Sequence, residues 1–224
     1  MAERVSQSIN NVLPRLYAEY GQESWRADER DILSVLVRAV IGQATSKPNA
    51  NTAFQQLLAT FDGDWNVARK AAVENVVEAI SIAGLAEQRA PRILAILDRC
   101  YQTFAEVHLE PLRSYPTSRA YDFLESLPGV GPKTAAFVLM LTTGADLLPV
   151  NGGIHRLAKR LGLVPPNTSA VRTQNVLSSA VPVGEGYSAH MALVVHARRI
   201  CTSRNPDCIQ CCLADLCPRI GVNS

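Results

Sequence analysis

The last 24 residues of the chain carry five of its six cysteines, and four of these five have the spacing C-x6-C-x2-C-x5-C. These four cysteines are Cys201, Cys208, Cys211 and Cys217. Four thiolates this close in sequence can enclose one metal centre, and soft sulfur ligands favour zinc or an iron–sulfur cluster. Structural zinc sites usually repeat a short C-x2-C spacing, whereas only one such pair is present here. The spacing alone therefore leaves zinc and an iron–sulfur cluster open.

The composition indicates a folded protein that does not enter a membrane. The chain has 224 residues, is 47% hydrophobic and carries a net charge of +2, which is enough apolar content for one large core or two small ones. It has no basic segment followed by a long apolar run, which argues against a secretory signal and a membrane span. We expect a cytoplasmic protein whose cysteines are ligands rather than disulfides.

Apolar residues recur at helical spacing along most of the chain, which predicts an all-α fold. Segments with alternating apolar and polar residues, as in strands, are scarce. The predicted helices surround Leu16, Leu36, Leu57, and residues 73–80, 90–101, 120–127 and 134–141.

Two of these helices are separated by a short glycine-containing turn at residues 127–131. Gly129 and Gly131 permit unusual backbone angles and expose N–H groups, and Pro132 suits the first position of the next helix. Such a turn at a helix N-terminus commonly binds an anion. An ordinary connection between two helices is the alternative.

Lys133 lies in the first turn of the helix that follows this turn. The positive end of the helix dipole disfavours a cation there, which favours the neutral amine. A neutral lysine amine is a usable nucleophile. A lysine that faces solvent or contacts a phosphate is the alternative.

The sequence LPGVGPKTA at residues 127–135, PV at 149–150, His155-Arg156 and the terminal cysteine loop resemble the endonuclease III family. Matches at residues 42–45 and 84–90 extend the resemblance over nearly the whole chain. It implies a two-lobed helix-hairpin-helix DNA glycosylase fold, with a six-helix lobe at residues 24–140, a second lobe formed by 1–23 and 141–224, and a DNA cleft between them. It also implies a 4Fe–4S cluster held by the four cysteines named above, which leaves Cys100 and Cys212 as non-ligands.

The resemblance implies a monomeric base-excision repair glycosylase that acts on oxidised pyrimidines in double-stranded DNA and, if bacterial, is associated with the nucleoid. Lys133 would be its nucleophile and would also give it AP lyase activity, through β-elimination at abasic sites. Gln43 would fill the space left by the flipped base, and Leu85 would act as a wedge. The residues expected to contact DNA are Gln43, Leu85, Arg89, Gly129, Val130, Gly131, Thr134 and Arg204.

One position departs from the family pattern. The family has V-D-T-H where this chain has Val150, Asn151, Gly152 and Gly153, so Asn151 occupies the position of the catalytic aspartate. A neutral amide caps a helix as well as a carboxylate does, but it cannot stabilise positive charge on the sugar. The protein is therefore expected to be weakened or inactive, and the alternative is a non-catalytic protein that binds lesions or abasic sites.

Three explanations of Asn151 remain open from the sequence. It is an engineered substitution, a natural one, or an asparagine that deamidates to aspartate, since Asn-Gly is the dipeptide most prone to that reaction.

The chain from position 150 onward has eight basic residues against three acidic ones. This excess is a footprint for phosphate, although some arginines could instead neutralise the negative charge of a thiolate cluster. The basic residues are Arg156, Lys159, Arg160, Arg172, Arg198, Arg199, Arg204 and Arg219.

Overall fold

The computed structural model describes residues 2–26 and 31–222, and these residues form helices, turns and loops without a strand. The predicted all-α fold is therefore confirmed. None of the described helices is both long enough and apolar enough to cross a membrane. The chain divides into two compact units, one of residues 28–143 and one of residues 1–27 with 144–224.

The α-helices are numbered in chain order. They are α1 (Ala2–Tyr20), α2 (Ile32–Ile41), α3 (Lys47–Thr60), α4 (Trp65–Arg69), α5 (Val73–Ile80), α6 (Ala86–Phe104), α7 (Thr117–Glu125), α8 (Pro132–Thr143), α9 (Gly152–Arg160), α10 (Ala170–Ala180) and α11 (Gly186–Arg199). Short 3-10 helices cover Ser81–Ala83 and Glu110–Ser114.

The unit of residues 28–143 is built around α2, which packs against α3, α6 and α8. Leu33, Leu36 and Val40 are almost fully buried on this helix, as its apolar periodicity predicts. The helix begins where Asp31 Oδ1 accepts a hydrogen bond from the Ser34 N–H at 2.7 Å, which satisfies one of the free donors of the first turn. The sequence periodicity identified six of the seven α-helices in this part of the chain. The exception, α4, has five residues and is too short to show a repeat.

The second unit packs α1 against α10 and α11, and α9 against α10 and α11. Leu13 and Leu16 of α1 and Ile154 and Leu157 of α9 belong to its continuous apolar core. Burial of each such side chain contributes about 1.5–3 kcal/mol. This core fixes both ends of α9, which begins beside Asn151 and ends among the cysteine-bearing loops.

Candidate functional site

The turn between α7 and α8 presents free backbone N–H groups. Gly129 has φ +76°, a backbone conformation that is unfavourable for residues with a Cβ atom. The Val130 N–H donates to the Leu127 carbonyl at 3.1 Å, whereas the N–H groups of Gly129 and Gly131 make no hydrogen bond within the described chain. These two donors precede the positive end of the α8 dipole, so the turn has the features of an anion site.

Lys133 is exposed in the first turn of α8. Its side chain makes no hydrogen bond or ion pair with any residue that the structure describes. The amine is thus accessible to a ligand from solution.

Two further segments were predicted to contact DNA. Gln43, just after α2, donates from Nε2 to the Gly129 carbonyl at 2.9 Å. Leu85, just before α6, is 53% exposed. Ala44 and Leu85 both have positive φ, at 52° and 53°, a backbone conformation that costs roughly 1–2 kcal/mol for a residue with a side chain. The structure thus brings Gln43 and the hairpin together and leaves the Leu85 side chain exposed.

Arg89 was predicted to contact DNA, and the structure places its side chain in the interior. It is 2% exposed. Its Nη1 donates to the carbonyls of Ala83 at 3.0 Å and Gly84 at 2.6 Å, and its Nη2 donates to the Gln43 carbonyl. Burial and the nearby Arg92 lower the pKa of the guanidinium. Arg89 therefore holds loops in place, and no direct contact with phosphate is assigned to it.

Val130 and Thr134, also predicted to contact DNA, are buried with only 5% exposure each. Their N–H groups are used within the turn, since Thr134 donates to the Gly131 carbonyl at 2.9 Å and Val130 donates as described above. Neither side chain is therefore presented to solvent in the structure. The N–H groups of Gly129 and Gly131, in contrast, make no hydrogen bond within the described residues.

The four terminal cysteines line one cavity in the second unit. Most of the other lining residues are apolar, among them Leu157 of α9 and Leu213. Cys212 does not line this cavity. Burial and then Glu19 of α1 raise the pKa of its thiol, and Arg15 of the same helix opposes this shift. Within residues 2–26 and 31–222, no three His, Cys, Asp or Glu side chains are gathered closely enough to hold a single metal ion. The cysteines that surround the cavity are Cys201, Cys208, Cys211 and Cys217.

Hydrogen-bond donors point at the sulfur atoms, which suits a thiolate-bound centre. The buried Arg160 donates from Nη1 to Cys201 Sγ at 3.3 Å and to the Thr202 carbonyl at 2.6 Å. The Arg219 N–H donates to Cys217 Sγ at 3.4 Å. Donors of this kind stabilise the negative charge of ligating thiolates. The residues present therefore fit an anionic metal–thiolate centre.

Burial raises the pKa of the Cys211 thiol to about 11 and raises that of Cys217 as well. Both thiols are thus neutral at neutral pH unless a metal ion deprotonates them, as metal coordination does. His196 is fully buried with Nε2 3.6 Å from Cys211 Sγ and Nδ1 2.9 Å from the Tyr20 hydroxyl. Burial lowers the pKa of His196 to about 4, so the ring adds no charge to this site.

Not all of the basic residues after position 150 face solvent. Arg156 donates from Nη2 to the carbonyls of Ala197 at 2.9 Å and Cys201 at 2.8 Å, and Arg160 is 7% exposed. Both arginines, one turn apart on α9, therefore fix the segment of the first cysteine. Arg204 is exposed. A role of some of these arginines beside the cysteines was one of the two alternatives drawn from the sequence, whereas the place of His196 beside Cys211 was not predicted.

Asn151 caps α9, because its Oδ1 accepts a hydrogen bond from the Ile154 N–H at 2.9 Å. A Cβ at Gly153 would lie 3.1 Å from Asn151 Oδ1 and 3.2 Å from the Ala197 Cβ, which is tighter than ordinary contact. A Cβ at Gly152 would meet nothing within 4 Å. The glycine at 153 thus matches the packing of α9 against α11.

The backbone just before Asn151 is held by two buried polar side chains that the sequence did not reveal. Gln174 Oε1 accepts from the Val150 N–H at 3.0 Å, and His190 Nδ1 lies 2.8 Å from the Pro149 carbonyl. Gln174 and His190 are each 6% exposed. Buried hydrogen bonds of this kind are costly to break, so the Asn151 position is rigidly supported.

Comparison with known proteins finds relatives that are named as DNA glycosylases or endonuclease III, although no family model matches the chain. A relative from Arabidopsis thaliana is 31% identical over 176 residues, and the chain spans 59% of the length of that relative. The chain spans only 12% of the length of a second relative, the DNA glycosylase/AP lyase ROS1 of the same plant. Endonuclease III of Thermotoga maritima is 30% identical over 220 residues, which are 97% of this chain and 92% of that protein. A solved endonuclease III–DNA complex superposes with a TM-score of 0.82 at 22% identity, over 96% of this chain and 95% of that one, and so shares the fold. The protein therefore belongs to the endonuclease III family of helix-hairpin-helix DNA glycosylases.

Proposed function

We propose that the protein is a base-excision repair DNA glycosylase with abasic-site lyase activity on oxidised pyrimidines in double-stranded DNA, and that Asn151 lowers its rate. The observation that carries this proposal is the exposed Lys133, which lies two residues after Gly131 in the turn where the N–H groups of Gly129 and Gly131 are free. An amine nucleophile beside a phosphate-binding turn is what a lyase on DNA requires.

The target base leaves the helical stack before the reaction, at a cost of a few kcal/mol. We assign Gln43 to the vacated space and Leu85 to the wedge. Leu85 is suited to this because it is 53% exposed on a backbone that cannot relax easily. Gln43 must exchange its bond to the Gly129 carbonyl for contacts with DNA.

The neutral amine of Lys133 then attacks C1′ of the deoxyribose. A C–N bond forms as the bond from C1′ to the base breaks, and the base leaves with the electron pair and takes up a proton. The amine loses its proton and the sugar ring opens, which gives a Schiff base. Loss of a proton from C2′ then expels the 3′ phosphate and cuts the strand. The Asn151 amide can neither accept the proton of the amine nor offset positive charge on the sugar.

A second candidate function is binding of abasic sites or lesions without catalysis. The neutral Asn151, engaged as a helix cap, favours it, because electrostatic stabilisation at such a position is commonly worth several kcal/mol. Borohydride trapping on a duplex that contains thymine glycol separates the two functions. A covalent adduct and a strand break support the enzyme, whereas tight binding to an abasic-site analogue with an intact strand supports the binding protein.

We further propose that the four terminal cysteines hold a 4Fe–4S cluster. The ring of sulfurs around one cavity, with the donors of Arg160 and Arg219 aimed at them, supports this assignment. When bound, the cluster supplies a covalent cross-link between the end of α11 and the C-terminal loops. The arginines compensate the charge of the thiolates, and Arg156 fixes the carbonyl of Cys201.

Iron analysis tests this proposal. The purified protein is expected to be brown and to contain about four iron atoms per chain, the content of one 4Fe–4S cluster. Cys211→Ser should lose most of the iron, whereas Cys212→Ser should keep it because Cys212 does not line the cavity. Zinc instead of iron, or equal iron loss in the two variants, would contradict the assignment.

Arg204 is expected to contact a DNA phosphate, since it is exposed within the cysteine loop. Neutralisation by Arg204→Gln should weaken DNA binding and reduce the slope of log K against log salt concentration by about one. The slope is measured by fluorescence anisotropy with a labelled duplex. Arg15→Gln is the control, because Arg15 is already paired with Asp215 at 2.8 Å. An unchanged slope in the Arg204 variant would exclude the contact.

A further inference from the structure

We infer that Arg89 is a positioning residue that holds two DNA-facing segments in the conformation needed for base flipping. We name residues 43–45 the plug segment and residues 83–85 the wedge segment. The consequences for DNA rest on the proposed function, whereas the consequences for the two segments do not.

The first step is that one guanidinium joins both segments. Arg89 donates to the carbonyls of Ala83 and Gly84 in the wedge segment and of Gln43 in the plug segment. Ala83 and Gly84 are 6 and 5 residues away from Arg89 in sequence, and Gln43 is 46 residues away. The planar fork of arginine can serve several acceptors in fixed directions, which the single ammonium of lysine cannot.

The second step concerns where these bonds fall. The Gln43 carbonyl immediately precedes Ala44, and the Gly84 carbonyl immediately precedes Leu85. Ala44 and Leu85 are two of the five non-glycine residues with positive φ in the described chain. Arg89 therefore bonds to the peptide that leads into each of the two strained residues. Strained backbone persists only when its surroundings hold it, and here one side chain does so for both.

The third step extends the network to the hairpin. The Gln43 side chain bonds to the Gly129 carbonyl, and Gly129 also carries one of the free N–H groups. A shift of the plug segment would therefore disturb the anion-binding turn as well. Because Arg89 is 2% exposed, its contribution must be to position these groups.

Hydrogen exchange on the DNA-free protein tests the positioning directly. In the native protein the Gln43 N–H donates to Val40 at 3.3 Å and the Gly84 N–H donates to Ser81 at 2.9 Å. Arg89→Met should raise the exchange rates of both amides at least about tenfold, which corresponds to about 1.4 kcal/mol of lost protection. Arg89→Lys, which keeps the charge, should raise the two exchange rates by a smaller factor. It replaces the methionine variant in this test if that variant does not fold.

Arg99→Met is the matched control, because Arg99 is an exposed arginine on the same helix. It should leave both amides unchanged. If the Arg89 variants also exchange like the native protein, the positioning role is overturned, whatever the protein does on DNA.

The second measurement compares binding to an abasic-site analogue and to undamaged duplex. The Arg89 variants should lose at least about tenfold in preference for the analogue while the salt slope stays unchanged. Loss of about one unit of slope would mean a direct phosphate contact and would overturn the inference. A native protein without any preference would instead refute the proposed function, and the exchange data would still decide on Arg89.

Discussion

Lys133→Ala should abolish the covalent adduct that borohydride traps on damaged duplex and reduce strand cleavage by about two orders of magnitude or more. The physical reason is that the alanine side chain has no lone pair to form the bond to C1′. The fold should remain intact, because Lys133 is exposed and such substitutions usually change stability by less than about 0.5 kcal/mol. Trapping is followed on denaturing gels and thermal stability by calorimetry.

Lys133→Arg separates the nucleophile from the charge. Arginine keeps the positive charge near the hairpin but stays protonated at any accessible pH, so it should bind DNA nearly as well as the native protein without forming the adduct. An adduct that persists in both variants would show that another amine is the nucleophile. An alanine variant that binds DNA much more weakly than the arginine variant would show that Lys133 also contacts phosphate.

The parts of the site that could be predicted from the sequence are local in the chain. The cysteine spacing and the glycine turn each place their key groups within a few residues of one another, so short-range geometry already limits what they can form. The free N–H groups of Gly129 and Gly131 follow from turn chemistry of this kind. Helices α2 to α8 were found by periodicity wherever they were long enough to show it, and only the short α4 was missed.

The other parts depend on tertiary packing. Arginines look alike in a sequence, yet Arg89 and Arg160 are buried among carbonyls while Arg204 is exposed. Their difference comes from which helix face each occupies and what packs on it. The buried Gln174 and His190, which hold the backbone before Asn151, come from α10 and α11 and lack a sequence signature for the same reason.

Asn151→Asp should raise the rates of base excision and strand cleavage on the order of 10² to 10⁴-fold, the usual contribution of a positioned acid–base group. The change is isosteric, and a carboxylate can accept the same hydrogen bond from the Ile154 N–H. A negative charge at the N-terminus of α9 should also stabilise the protein by roughly 0.3–1 kcal/mol. Single-turnover kinetics and thermal unfolding measure the two effects.

Two controls define this experiment. Asn151→Ser keeps a capping oxygen but no charge and should not accelerate the reaction. The double variant Lys133→Ala/Asn151→Asp should form no covalent adduct and cut no strand, because no amine is left to form the Schiff base. The mass of the peptide that contains residue 151 must be checked in the native protein, since deamidation would create the aspartate and mimic the gain.

The outcome also separates the interpretations of the divergent site. If the aspartate alone restores catalysis, then the glycines at 152 and 153 are compatible with the chemistry and only the charge is missing. If it does not, the close packing of Gly153 against Ala197 indicates that the surroundings of Asn151 have changed together. Single-residue restoration would then be impossible, and tight binding of abasic sites without cleavage would become the expected function.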